Sequence, residues 1–118
     1  MNTILAIFLG GGLGSVSRYG VSKLYNSEFP YGTLTANILS SIILALTIYG
    51  FSARIESSPF LRTFIIIGFC GGFSTFSTFG FETFELIKNG HLSIAILNVI
   101  VNVVFVLLVF YIFRNSFS

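Results

Sequence analysis

Four long apolar runs, parted only by short polar breaks, take up most of this chain: roughly 3–24, 33–51, 61–87 and 92–113. A helix needs about 20 residues to cross the hydrocarbon core of a bilayer, and each run is close to that or longer. Charged residues make up 8% of the sequence and hydrophobic ones 54%. Soluble domains carry about 25% charged residues, so this chain cannot dress a water-facing surface. The expectation is an all-α membrane protein, with residues 1–118 forming a single four-helix transmembrane domain. The first run reads as a retained span and not a cleavable signal, because no basic segment precedes it and no small-residue cleavage site ends it before Arg18.

The breaks carry ordinary punctuation. Asn26-Ser-Glu-Phe-Pro-Tyr-Gly32 is polar and contains Pro30 and Gly32. Ser58-Pro59 has the form of an N-cap with proline in the first turn, opening the third helix, and Asn89-Gly90 has the form of its C-terminal stop. Four crossings put both termini on one side. Arg54, Arg62 and Arg114 fall on that side; Lys23, Lys88 and, closer to it, Arg18 fall on the other. Orientation needs a bias in Lys and Arg, and almost none exists. Charge alone leaves two readings open: insertion both ways, permitting an antiparallel dimer, or one orientation set by detail of the first helix.

Several function classes are disfavoured. No Cys/His/carboxylate cluster has metal-ligand spacing, and no nucleophile–base constellation is credible, so enzyme activity is not expected. The glycine run at 10–14 matches neither dinucleotide nor P-loop patterns, and close helix packing explains it better. Gly10, Gly11, Gly12, Gly14, Ala36, Ser40, Ser41 and Ala45 supply small residues for such contacts. Four helices are few to enclose a polar site, so a homo-oligomer, most simply a two-fold dimer, is the natural expectation.

Within the third run, Gly68-Phe-Cys-Gly-Gly-Phe-Ser-Thr-Phe-Ser-Thr-Phe-Gly80 is poor continuous helix. A Gly-Gly pair followed by Ser74 and Thr75 leaves backbone carbonyls available outside the helix ladder. Irregular backbone at membrane depth survives only where protein or a water-filled cavity covers it, and such breaks hold ions in transporters and channels. Phe76 and Phe79 lie three apart, hence on one helix face, beside Ser77 and Thr78. Ring edges carry partial positive charge and, with hydroxyl donors, suit a small anion without trapping it. Packing is the plainer role for such rings.

Other polar residues stand out on apolar helices. Asn37 lies one turn after Thr33; it reads either as an interhelical hydrogen bond or as a pore-lining donor. Glu82 follows Phe79 by three and suits the outer end of a polar pathway, whereas Glu85 suits an interfacial pair with Lys88. Asn98 and Asn102 lie four apart and share a face. Arg18 suits either drawing anions into a vestibule or snorkelling to headgroups.

Three motifs together resemble the small fluoride channel family, known as Fluc or CrcB proteins. They are Gly11-Gly-Leu-Gly-Ser-Val-Ser-Arg18-Tyr19, Gly32-Thr33-Leu34-Thr-Ala-Asn37, and the 68–79 stretch with Glu82. Their order and spacing agree over essentially the whole chain. The resemblance implies an antiparallel, dual-topology homodimer with two fluoride pores and a third helix broken at mid-membrane. It implies a structural, untransported Na+ on the dimer axis, held by backbone carbonyls matching Gly71 and Ser74. Phe76, Phe79 and Asn37 match pore residues; Thr33, Ser77, Thr78 and Glu82 match the polar track or its end; Arg18 matches a vestibule arginine. Asn102 stands where the family usually carries a small residue and is assigned the place of a hydroxyl donor in the pore. Ser74 replaces a usual threonine, and Ser40 a frequent glycine.

The implied function is passive export of cytoplasmic fluoride across the cell (inner, cytoplasmic) membrane, relieving fluoride toxicity. The implied partners are a second copy, fluoride and the lipid bilayer, with no nucleic acid. Two rivals remain at this point. A four-helix proton-coupled drug exporter requires an acidic residue inside the first helix, and 3–24 has none. A non-transporting scaffold subunit would not require Asn37 and the two phenylalanines on a common lining.

Overall fold

A computed structural model describes residues 2–117, so residues 1 and 118 of the expected domain lie outside the described residues. Every regular element among them is helical. Helix α1 (Asn2–Ser22) is followed by α2 (Tyr31–Ala45), which widens into a π-helical turn at Leu46–Gly50. A short α3 (Ser52–Glu56) leads to the third crossing. That crossing is composite: α4 (Pro59–Arg62), a π-helical stretch Thr63–Cys70, α5 (Gly71–Phe73) and α6 (Phe76–Lys88). Helix α7 (Leu92–Ser116) closes the chain. Four continuous stretches are long and apolar enough to cross a membrane: Thr3–Ser22, Tyr31–Gly50, Pro59–Lys88 and Leu92–Ser116. The molecule measures 50 × 32 × 20 Å, long enough to traverse a hydrocarbon core of about 30 Å.

Local chemistry explains the ends of the third crossing. The Ser58 side chain accepts from the Leu61 amide at 3.3 Å, with Pro59 in the first turn where its missing N–H costs nothing. At the other end Gly90 adopts φ +85°. The Gly90 amide donates to the Ile87 carbonyl at 3.1 Å and the His91 amide to the Leu86 carbonyl at 2.8 Å. This pair of bonds is a Schellman cap, and it turns the chain directly into α7.

Packing follows the small residues, unevenly. Helix α1 lies chiefly against the π-helical stretch and α5. A Cβ added at Gly10 would fall 2.3 Å from the Phe64 carbonyl oxygen, one at Gly14 2.3 Å from that of Phe69, and one at Gly72 2.5 Å from that of Gly11. These backbones touch because no side chain intervenes. Gly12 has open space instead. On α2, Ala36, Ser40, Ser41 and Ala45 are all buried, and α2 is the most enclosed crossing.

The third crossing breaks one step later than its glycines suggest. Gly71 and Gly72 stay helical, while Ser74 (φ −81°, ψ 155°) and Thr75 (φ −151°, ψ 126°) are extended. Gly72 serves close packing while Gly71 has open space beside it, and hydroxyl side chains hold the extended residues. Ser74 Oγ donates to the Cys70 carbonyl at 2.8 Å, and Thr75 Oγ1 accepts from the Thr78 amide at 3.2 Å, restarting the helix as its N-cap.

Candidate functional site

The break faces a groove of about 520 Å³ between α2, the third crossing and α7. Of the residues singled out from sequence, it gathers Asn37, Gly71, Ser74, Phe76, Phe79 and Asn102. The Phe76 and Phe79 rings sit 5.7 Å apart at 44°, and Phe76 is 82% exposed. An exposed benzyl ring beside amides gives the groove a mixed character, apolar walls with a few placed donors.

Asn37 ties the break to its neighbours. The Thr75 amide donates to Asn37 Oδ1 at 3.1 Å, and Asn37 Nδ2 donates to Asn102 Oδ1 at 3.0 Å. In an unbroken helix the Thr75 N–H would serve the Gly71 carbonyl, and the Thr78 N–H would serve that of Ser74. Both amides are diverted to side chains. The two carbonyls named from sequence are thus among those at the break that lose their usual helical donors. Two others nearby find partners. The Cys70 carbonyl accepts from Ser74 Oγ and from Ser40 Oγ at 3.1 Å, and the Gly72 carbonyl accepts from Arg18 Nε at 3.3 Å.

Arg18 is thereby tied to the break. It is half-buried, with its guanidinium drawn down to the break. Thr33 and Glu82 lie outside the groove and pair with one another, Thr33 Oγ1 donating to Glu82 Oε1 at 2.5 Å. Glu82 lines a second, more polar cleft of about 320 Å³ with Glu28, Glu85 and His91. At this end His91 Nε2 lies 3.4 Å from Glu28 Oε2, and Lys88 lies 3.8 Å from Glu85, the interfacial pair the spacing suggests. Ser77 and Thr78 also stay out of the groove: Ser77 is exposed with its hydroxyl 3.3 Å from Thr75 Oγ1, and Thr78 contributes its amide to the cap.

Two residues of the site carry no obvious sequence signal. Thr75 reads as one hydroxyl among several, yet it supplies both the cap and the amide that fixes Asn37. Thr83 bonds the buried Asn98, whose Nδ2 donates to Thr83 Oγ1 at 2.9 Å. The αα-turn offers the missed clue: Thr83 precedes Gly90 by seven residues and Asn98 follows it by eight, so they meet across the hairpin.

Four apolar crossings and a groove of apolar walls with a few amide donors, lined by a broken helix, define a multi-pass membrane protein. The chain belongs to the family described as CrcB-like protein, Camphor Resistance (CrcB), which matches residues 5–113. A protein of Coxiella burnetii (strain CbuK_Q154) named fluoride-specific ion channel FluC is 44% identical over 105 residues, covering 85% of each chain. One of the same name from Pyrococcus abyssi (strain GE5 / Orsay) is 44% identical over 110 residues, covering 87% of this chain and 85% of its own. A Salmonella arizonae protein, again of that name, is 40% identical over 105 residues, covering 86% and 83%. These relatives are named as channels, not enzymes, in keeping with the missing nucleophile–base constellation.

Proposed function

We propose that this chain is a passive fluoride channel that lets cytoplasmic fluoride leave the cell down its gradient and so relieves fluoride toxicity. The observation that carries the reading is the groove, where Asn37 and the Phe76/Phe79 pair line one surface at a helix break. The relatives' names point the same way. Small anions are held there by an amide N–H and ring edges, with no full positive charge in the lining to trap them. Thr33 and Glu82 end the polar track, with Ser77 and Thr78 beside it. Asn102 acts in the pore, and Arg18 attracts anions towards it.

The working unit in this reading is an antiparallel homodimer of dual topology in the cytoplasmic membrane, with the break at mid-membrane. The near-even split of basic residues supports it, as does the wide exposure of apolar side chains along α1 and α7. Carbonyl oxygens suit a hard cation at unwound helix, and the Gly71 and Ser74 carbonyls have lost their helical donors. A structural Na+ would be held by these two carbonyls from each subunit, fixing the break at the dimer axis.

The test is fluoride efflux from liposomes holding the purified protein, with chloride as control. Fluoride should leave much faster than chloride. Fluoride flux that is absent, or no faster than chloride flux, refutes the channel reading and returns the scaffold reading.

A further inference from the structure

The amides beside the groove form a single directed chain of hydrogen bonds. It starts at the Thr75 N–H, which donates to Asn37 Oδ1 at 3.1 Å. Asn37 Nδ2 donates to Asn102 Oδ1 at 3.0 Å, and Asn102 Nδ2 donates to the Asn98 backbone carbonyl at 2.8 Å and to Asn98 Oδ1 at 2.9 Å. Asn98 Nδ2 donates to Thr83 Oγ1 at 2.9 Å, and the Thr83 hydroxyl donates to the Phe79 carbonyl at 2.7 Å. Asn98 is fully buried and Asn102 nearly so, so water does not compete.

Both ends are backbone groups of one polarity, an N–H that can only donate and a C=O that can only accept. The donor direction of every amide between them is thereby fixed, although an amide alone could face either way. One consequence falls on Asn37. Its oxygen is taken by Thr75 and one amide hydrogen by Asn102, leaving the second hydrogen for the groove that Asn37 lines. A second falls on Asn102. Both of its hydrogens are spent on Asn98, so it has none for an anion.

We propose that Thr83 and Asn98 are positioning residues that act through Asn102 to hold the Asn37 amide with its N–H, and not its oxygen, presented to fluoride. This refines the channel reading and rests on it: Asn102 becomes the link between the relay and the donor, and does not itself touch the anion. Remove the Thr83 hydroxyl and Asn98 Nδ2 loses its acceptor in a dry site. Turning Asn98 over would set its N–H groups against those of Asn102, and turning Asn102 would set donor against donor at Asn37. Asn37 cannot turn without stranding the Thr75 N–H. The conflict therefore accumulates at the groove.

The experiment compares Thr83→Val, the smaller Thr83→Ala and Thr83→Ser, each purified as the assembled protein, by fluoride efflux and by NMR of the Asn37 side-chain amide. Valine and alanine should cut efflux by at least about tenfold, the scale on which outer partners of an ordered site are felt. Serine keeps the hydroxyl and should restore wild-type efflux. The Asn37 amide resonance should move with valine and alanine and stay with serine. A Thr83→Val or Thr83→Ala protein that conducts like wild type, serine that fails equally, or an unmoved Asn37 resonance overturns the relay. Wild-type protein that carries no fluoride refutes the channel reading instead, while the resonance still decides the relay.

Discussion

Asn37 does three jobs with one side chain. It accepts from the break, donates to α7, and lines the groove. From sequence it was legible as an anomalous amide, but a packing bond and a pore donor looked alike. The geometry shows the packing bonds, and in the proposed reading those bonds are what aim the donor. Phe79 was legible through its three-residue spacing from Phe76, whereas Ser77 and Thr78, equally prominent in the string, fall outside the groove. Their positions follow from where the helix restarts, and the Thr75 cap decides that. Phe79→Ile keeps an apolar residue of helical habit but removes the ring edge. It should abolish fluoride efflux while the oligomer elutes unchanged on size exclusion; undiminished efflux would deny the ring a role in the path. Interhelical hydrogen bonds in membranes average only about 0.6 kcal/mol, so changes along the amide chain should be felt in conduction more than in assembly.

The composite third crossing is where one element does the work of several. Its caps were readable: Ser58-Pro59 at the start and Asn89-Gly90 at the end follow local rules that tertiary context does not disturb. The break was readable in kind and displaced in place. Glycine signals backbone freedom, but close approach needs the same absence of Cβ, and sequence does not separate the two uses. Here Gly72 is consumed by contact with Gly11 and Gly14 by contact with Phe69. Gly14→Val would place a Cβ 2.3 Å from the Phe69 carbonyl oxygen, and overpacking costs about 1–3 kcal/mol or more. Thermal unfolding in detergent should register that loss. Gly12→Ala, with nothing within 4 Å, should leave the transition in place. Equal melting of the two variants would mean α1 does not pack as described.

At the scale of the molecule, a single copy leaves much undone. Of the apolar window in each crossing only 17%, 44%, 22% and 17% is buried, in chain order; lipid can cover much of this surface, but not an open groove with a broken backbone. The four crossings were legible because hydrocarbon thickness sets their length. Their mutual facing was not, because in a membrane hydrophobicity no longer distinguishes inside from outside. The charge balance left orientation undecided, and the proposed resolution is that both orientations occur, one in each subunit, meeting at the break. Loop residue Asn26 and loop residue Ser57 are both exposed and lie at opposite ends of the molecule. The decisive measurement is labelling of Asn26→Cys and Ser57→Cys, each in a Cys70→Ser background, with a membrane-impermeant thiol reagent applied to intact spheroplasts. Antiparallel pairing requires each position to label to about half of its value after permeabilisation. One position labelled fully and the other not at all would contradict it.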